Sequence, residues 1–104
     1  MVSIMVASSY PGHRADEIGQ MFVGDKVPKV ADFVKRVNIW VSTAGSSDRE
    51  YKIYALYEAP NDKMYEAMKS IAARYAGYRT VEGFRYQIEP LLTVQEALPM
   101  IGLG

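Results

Sequence analysis

Apolar and polar residues alternate from Val2 to Tyr10, with Val2, Ile4 and Val6 on one side and Ser3, Met5 and Ala7 on the other. This is the period-two signature of a strand whose two faces meet different surroundings. Pro11, Gly12 and His13 interrupt it, and from Arg14 the apolar positions Ala15, Ile18, Met21 and Phe22 recur at helical spacing until Gly24, which predicts a short first helix. Asp25 to Lys35, with Pro28 and mixed charges, keeps neither period and reads mainly as a connection with room for one helical turn. Alternation returns at Val37, Ile39 and Val41, stops at the turn-forming run Ala44 to Asp48, and resumes from Glu50 to Glu58, so an antiparallel hairpin is expected. Pro60, Asn61 and Asp62 supply a stop and a cap for a second helix, whose stripe is Met64, Ala67, Met68, Ile71 and Tyr75 and which ends at Gly77. Gly83 to Glu89 alternates as a fourth strand, with Pro90 expected to limit further pairing. Thr93 and Glu96 have the spacing of a capping box, predicting one helical turn over Val94 to Leu98 before Pro99 and the apolar tail Met100 to Leu103.

Strand, helix, hairpin, helix, strand is the split βαβ order, in which right-handed crossovers put both helices on one face of a four-stranded antiparallel sheet. The expected class is therefore α+β, ferredoxin-like βαββαβ. The covered face should carry Val2, Ile4, Val6, Val37, Ile39, Val41, Ile53, Phe84, Tyr86 and Ile88. By the same parity the other face carries Ser3, Met5, Ala7, Asn38, Trp40, Ser42, Tyr54, Leu56, Arg85, Gln87 and Glu89, which is too apolar for a solvated face. Aromatic side chains bury about 150 to 250 Å² each, so covering roughly 600 Å² of this face at about 25 cal/mol per Å² would stabilise by roughly 15 kcal/mol, against association costs of about 4 to 15. A second copy packed sheet to sheet is one cover, and the C-terminal tail folded back within one chain is the other.

Composition narrows the partners. One domain, spanning 1–104, fits a length of 104 residues with 49% apolar content. Twelve basic and twelve acidic residues leave no net field to draw the chain to nucleic acid or an anionic membrane, and no stretch approaches the apolar length of a membrane span. Without cysteine and with one histidine, no zinc site, thiolate or disulfide is expected; nor is any cofactor, and a cytoplasmic location is expected. Tyr51, Tyr54 and Tyr57 evoke the aromatic display of RNA-recognition sheets, but they split between two faces and the basic-Gly-aromatic signature is missing.

At finer grain, Tyr10-Pro11-Gly12-His13 after the first strand, Glu82-Gly83-Phe84 before the last and Thr93-Val94-Gln95-Glu96-Ala97-Leu98-Pro99 at the end resemble small prokaryotic members of the dimeric α/β-barrel superfamily. The resemblance spans nearly the whole chain and implies a homodimer whose facing sheets enclose a cavity. That fold hosts cofactor-free monooxygenases, isomerases, haem enzymes and ligand-sensing modules, so the resemblance implies architecture more than activity. Members that oxidise aromatic polyketides without a cofactor line their cavity with Asn, Trp, Tyr, Arg and His, residue types that this chain has at Asn38, Trp40, Tyr54, Arg85 and His13.

His13, whose type titrates near neutrality, sits where the first strand hands over to the first helix, and Tyr54 carries a hydroxyl on the open face, so these two are the candidates for moving a proton. Asn38, Trp40, Arg85 and Gln87 form the candidate ligand-binding set, with the Arg85 guanidinium suited to a carboxylate unless a nearby Glu89 or Gln87 satisfies it. Tyr10 could orient a ligand through its hydroxyl. Two functions are thus expected: a homodimer, or higher oligomer, that binds a small metabolite between its sheets or only assembles, and alternatively a cofactor-free enzyme, monooxygenase- or isomerase-like, acting on a small aromatic or carboxylate-bearing substrate.

Overall fold

The computed structural model describes residues 1–24, 26–42 and 50–104. Strand β1 (Val2–Pro11) leads through one helical turn at Gly12–Arg14 into helix α1 (Ala15–Val23). After an irregular connection come β2 (Lys35–Ser42) and β3 (Glu50–Ala59), then a single turn and helix α2 (Met64–Ala76), strand β4 (Arg85–Leu91) and the short helix α3 (Val94–Ala97). The fold is α+β: one antiparallel sheet in the order β2-β3-β1-β4, with three α-helices among the described residues. No helix among the described residues is long and apolar enough to cross a membrane.

The period-two pattern of β1 becomes two distinct sheet faces. Ile4, Val6, Ser8 and Tyr10 are buried, and their register partners on β3, Tyr57, Ala55, Ile53 and Tyr51, share their side. Ile18 of α1 and Ala67, Ile71 and Tyr75 of α2 bury against this side, so α1 and α2 lie on one face of the sheet. The alternate residues of β1, Ser3, Met5, Ala7 and Ser9, stand beside Glu58, Leu56, Tyr54 and Lys52 of β3 and Leu91, Glu89, Gln87 and Arg85 of β4 on the opposite face. Trp40, paired with Tyr54, is on that face too. The sequence parity therefore holds for Trp40, the residue on which the expected cover of the sheet rests.

Three expectations need correction. Val37 does not join the helix-side layer: a bulge between Arg36 and Asn38 takes it out of register, and 52% of it is exposed. A bulge spends one extra residue on one strand, so alternation before it is inverted relative to alternation after it. Pro90 does not end pairing, because β4 is an edge strand that runs on to Leu91 opposite Ser3, and an edge proline needs no ladder partner for its missing N–H. Neither Asn61 nor Asp62 caps α2 with its side chain; the chain enters through the turn Asn61–Lys63. The stretch after α1 is a connection, as expected, with no helix among its described residues, and Val27 and Val34 in it are buried core. The expected turn from Ala44 to Asp48 lies outside the described residues.

The predicted capping box does form. Thr93 Oγ1 accepts the backbone N–H of Glu96 at 3.1 Å, and the Glu96 carboxylate accepts that of Thr93 at 2.8 Å. The segment it holds does not cover the open sheet, since Leu92, Val94, Met100, Ile101 and Leu103 are all exposed.

Candidate functional site

On the open face, Tyr54, Arg85 and Gln87 gather around a wide-mouthed hollow of about 310 Å³ over β3, β1 and β4, together with Ser9 and Lys52. Trp40 lies beside Tyr54 on the edge strand β2, and Asn38 is opposite Leu56 on the same face. Asn38 turns its carboxamide inward on its own backbone, where Oδ1 accepts the N–H of Ile39 at 2.8 Å beside the bulge. The partner of Arg85 is neither Gln87 nor Glu89 but Glu50, reached diagonally across β1. The Glu50 carboxyl is held below its ordinary value by that hydrogen bond first and by the Arg85 charge as well. His13 is exposed in the turn after β1 and lines neither this hollow nor the cavity described next. The structure thus brings together Tyr54, Arg85 and Gln87, with Trp40 and Asn38 on the flank, and leaves His13 apart.

A more enclosed and more apolar cavity, of about 260 Å³, lies on the other side of the sheet. Its walls are Ala15, Ile18, Gly19 and Phe22 of α1, Ile39 and Val41 of β2, Ile53 of β3, Ser8 and Tyr10 of β1, and Arg74, Tyr75, Tyr78 and Phe84. Local sequence explains the opening. Gly19 sits inside α1, where glycine costs roughly 0.5 to 1 kcal/mol relative to alanine. A methyl there would meet nothing within 4 Å, so the helix leaves space beside the cavity that a side chain could occupy.

The polar groups around the cavity are hydroxyls and one guanidinium. Tyr10, Tyr75 and Tyr78 are each pushed above the ordinary tyrosine value chiefly by burial, so they stay protonated through neutrality and act as donors. Tyr75 shares a 3.0 Å hydrogen bond with the buried Tyr57 hydroxyl, and Tyr78 stacks on Phe84 with ring centroids 5.0 Å apart. Ser8, buried under the sheet, reaches the Ile53 carbonyl at 3.5 Å. No carboxylate or imidazole lines the cavity among the described residues, so its walls can orient a molecule but contain no group poised to take a proton near pH 7.

Basic side chains mark the rim. The guanidinium carbon of Arg36 lies 5.1 Å from the Phe22 ring centroid and that of Arg74 lies 5.9 Å from it, both within cation–π range. Lys29, Arg36 and Arg74 line a surface depression that meets the cavity at Phe22 and Arg74.

Sequence reasoning placed no cavity on this side and passed over Tyr75, Tyr78, Arg36 and Arg74 as site residues. The available signal was Gly19 at an interior helix position, where the spacing of Ile18 and Phe22 already predicted a helix.

No family model matches the chain, and no curated protein is significantly similar to it. Among solved structures, it is similar to a tripeptidase from Staphylococcus aureus subsp. aureus Mu50, at 9% identity and a TM-score of 0.44. That match covers 99% of this chain and 36% of the tripeptidase chain.

Proposed function

We propose that the protein is a small-molecule binding protein that seats a largely apolar ligand between α1 and the sheet and pairs with a second copy through the opposite face. The observation that carries this is the helix-side cavity of about 260 Å³, walled almost wholly by apolar side chains and tyrosines. An apolar cavity of about 150 Å³ admits benzene, so this one has room for an aromatic ring with a short substituent. Binding is favoured over catalysis because the hydroxyls around the cavity hold their protons and His13 and Tyr54 lie elsewhere. The two-sided arrangement also leaves the open face available for assembly.

The strand order β2-β3-β1-β4, with α1 and α2 on one face, supports reading the fold as ferredoxin-like and the assembly as a dimeric α/β barrel. Trp40 is 46% exposed, which leaves roughly 100 Å² of its surface open if a tryptophan can bury about 250 Å². Tyr54 and Leu91 add less, so these apolar side chains alone fall short of the roughly 800 Å² that a standard interface takes from each partner. The exposed polar residues of the face, Asn38, Arg85, Gln87 and Glu89, and the exposed apolar arm from Leu92 to Leu103 add to them, and the proposed interface comprises all three.

Toluene titrated into isotope-labelled protein tests the cavity. The expected result is methyl shifts at Ile18, Ile39 and Ile53 with the Trp40 indole unmoved, and weaker binding in Gly19→Leu, which fills the cavity wall. Shifts confined to Trp40 and Tyr54, or none at millimolar toluene, would remove the reading.

A further inference from the structure

We infer that the ligand of the helix-side cavity is an amphipathic anion, with an aromatic or branched aliphatic body inside and an oxyanion head, carboxylate or phosphate, held at the rim by Arg36 and Arg74 with Lys29 beside them. This rests on the cavity reading above and adds the ligand's charge.

Three observations point the same way. First, the cations come from three separate elements, β2, α2 and the connection after α1, and meet at one depression continuous with the cavity. With twelve basic and twelve acidic residues in the chain, this concentration does not follow from a general excess of positive charge. Second, Arg36 and Arg74 crowd the same Phe22 ring, and like charges brought together favour a counter-charge between them. The two ion pairs among the described residues, Arg14 with Glu17 and Arg85 with Glu50, leave both guanidiniums aside. Arg74 gives one nitrogen to the Pro28 carbonyl at 3.2 Å, and the rest of its planar fork suits an oxyanion. Third, the charges of Arg74 and Arg36 both act on the Tyr78 hydroxyl in the cavity wall, drawing its pKa down against the larger upward push of burial. Rim charge and cavity are therefore one electrostatic site, and Phe22 forms the step between them.

The test compares 3-phenylpropionate and 2-phenylethyl phosphate with the uncharged 3-phenylpropionamide, read by calorimetry and by Ile18 and Ile39 methyl shifts at low ionic strength. At least one anion is expected to bind tenfold or more tighter than the amide. That advantage should shrink in high salt and fall at least threefold in an Arg36→Gln, Lys29→Gln double variant, which leaves Arg74 as the one remaining cation of the rim. Both positions are exposed, so the variant keeps its core. The tighter of the two anions identifies the head group. If the amide binds as well as both anions, the ligand is not anionic although the cavity stands; if the anion's advantage is undiminished in the double variant, the rim does not hold the head group and the inference fails. If toluene and all three probes fail to bind, the cavity reading itself falls, and this inference with it.

Discussion

Tyrosine carries much of this protein, and the two sheet faces use it differently. On the helix side, Tyr57 and Tyr75 are buried and satisfy each other through a 3.0 Å hydrogen bond. On the open side, Tyr54 stays partly exposed beside Trp40. The parity that separates Tyr54 from Tyr51 and Tyr57 was legible in the alternation of β3, but which hydroxyl found a buried partner was not, because that depends on the approach of α2. The buried pair makes stability depend on alkaline pH. Burial raises Tyr75 above its ordinary 10.0, so the folded chain keeps a proton that the unfolded chain releases. The stabilisation is complete below pH about 10 and is lost as pH rises further. Urea midpoints measured between about pH 8 and 11 should fall for the wild type. In Tyr75→Phe they should fall less steeply, from a starting stability lowered by about 1 to 3 kcal/mol because Tyr57 loses its partner. Tyr10 and Tyr78 shift in the same direction, so a residual slope is expected.

At the scale of elements, strands and helices with a clean period were readable and their irregular joints were not. β1, α1, β3 and α2 follow directly from their apolar spacing. The bulge in β2 defeated the assignment of Val37, because one inserted residue reverses parity without leaving a compositional mark. Val27 and Val34 went unseen because they bury singly from a charged, proline-containing stretch, without a periodic neighbour to identify a face. Arg36 and Arg74 escaped notice for a related reason: they are 38 residues apart in sequence and meet only once β2 and α2 share a layer. Gly83, by contrast, was conspicuous in the Gly-Phe opening of the last strand, and its geometry explains it. Its φ is +87°, and a Cβ there would lie 2.6 Å from Pro11 Cγ, so the turn into β4 packs directly on the end of β1. Gly83→Ala should therefore destabilise by at least about 1 to 2 kcal/mol from backbone conformation alone, read as a lowered urea midpoint. An unchanged midpoint would mean that this joint is not constrained as described.

For the whole molecule, we propose one sheet with two occupations: a ligand beneath the helices and a second chain against the bare face. The parity that puts Trp40 outside was legible; the seat of the cavity was not, since a cavity is a shortfall in packing among α1, β2 and Tyr78 and leaves no periodic signal. The single chain has a radius of gyration of 15.4 Å, above the roughly 13 Å of a compact chain of about 100 residues. It leaves Trp40 on one side and the arm with Ile101 and Leu103 exposed. Sedimentation equilibrium at micromolar concentration tests the pairing most directly, on the wild type beside Trp40→Glu and Ile101→Glu. The account predicts a wild-type species of twice 11.7 kDa, reduced to 11.7 kDa by Trp40→Glu and shifted toward it by Ile101→Glu. A wild-type mass of 11.7 kDa, or a Trp40→Glu chain that remains paired, would contradict it.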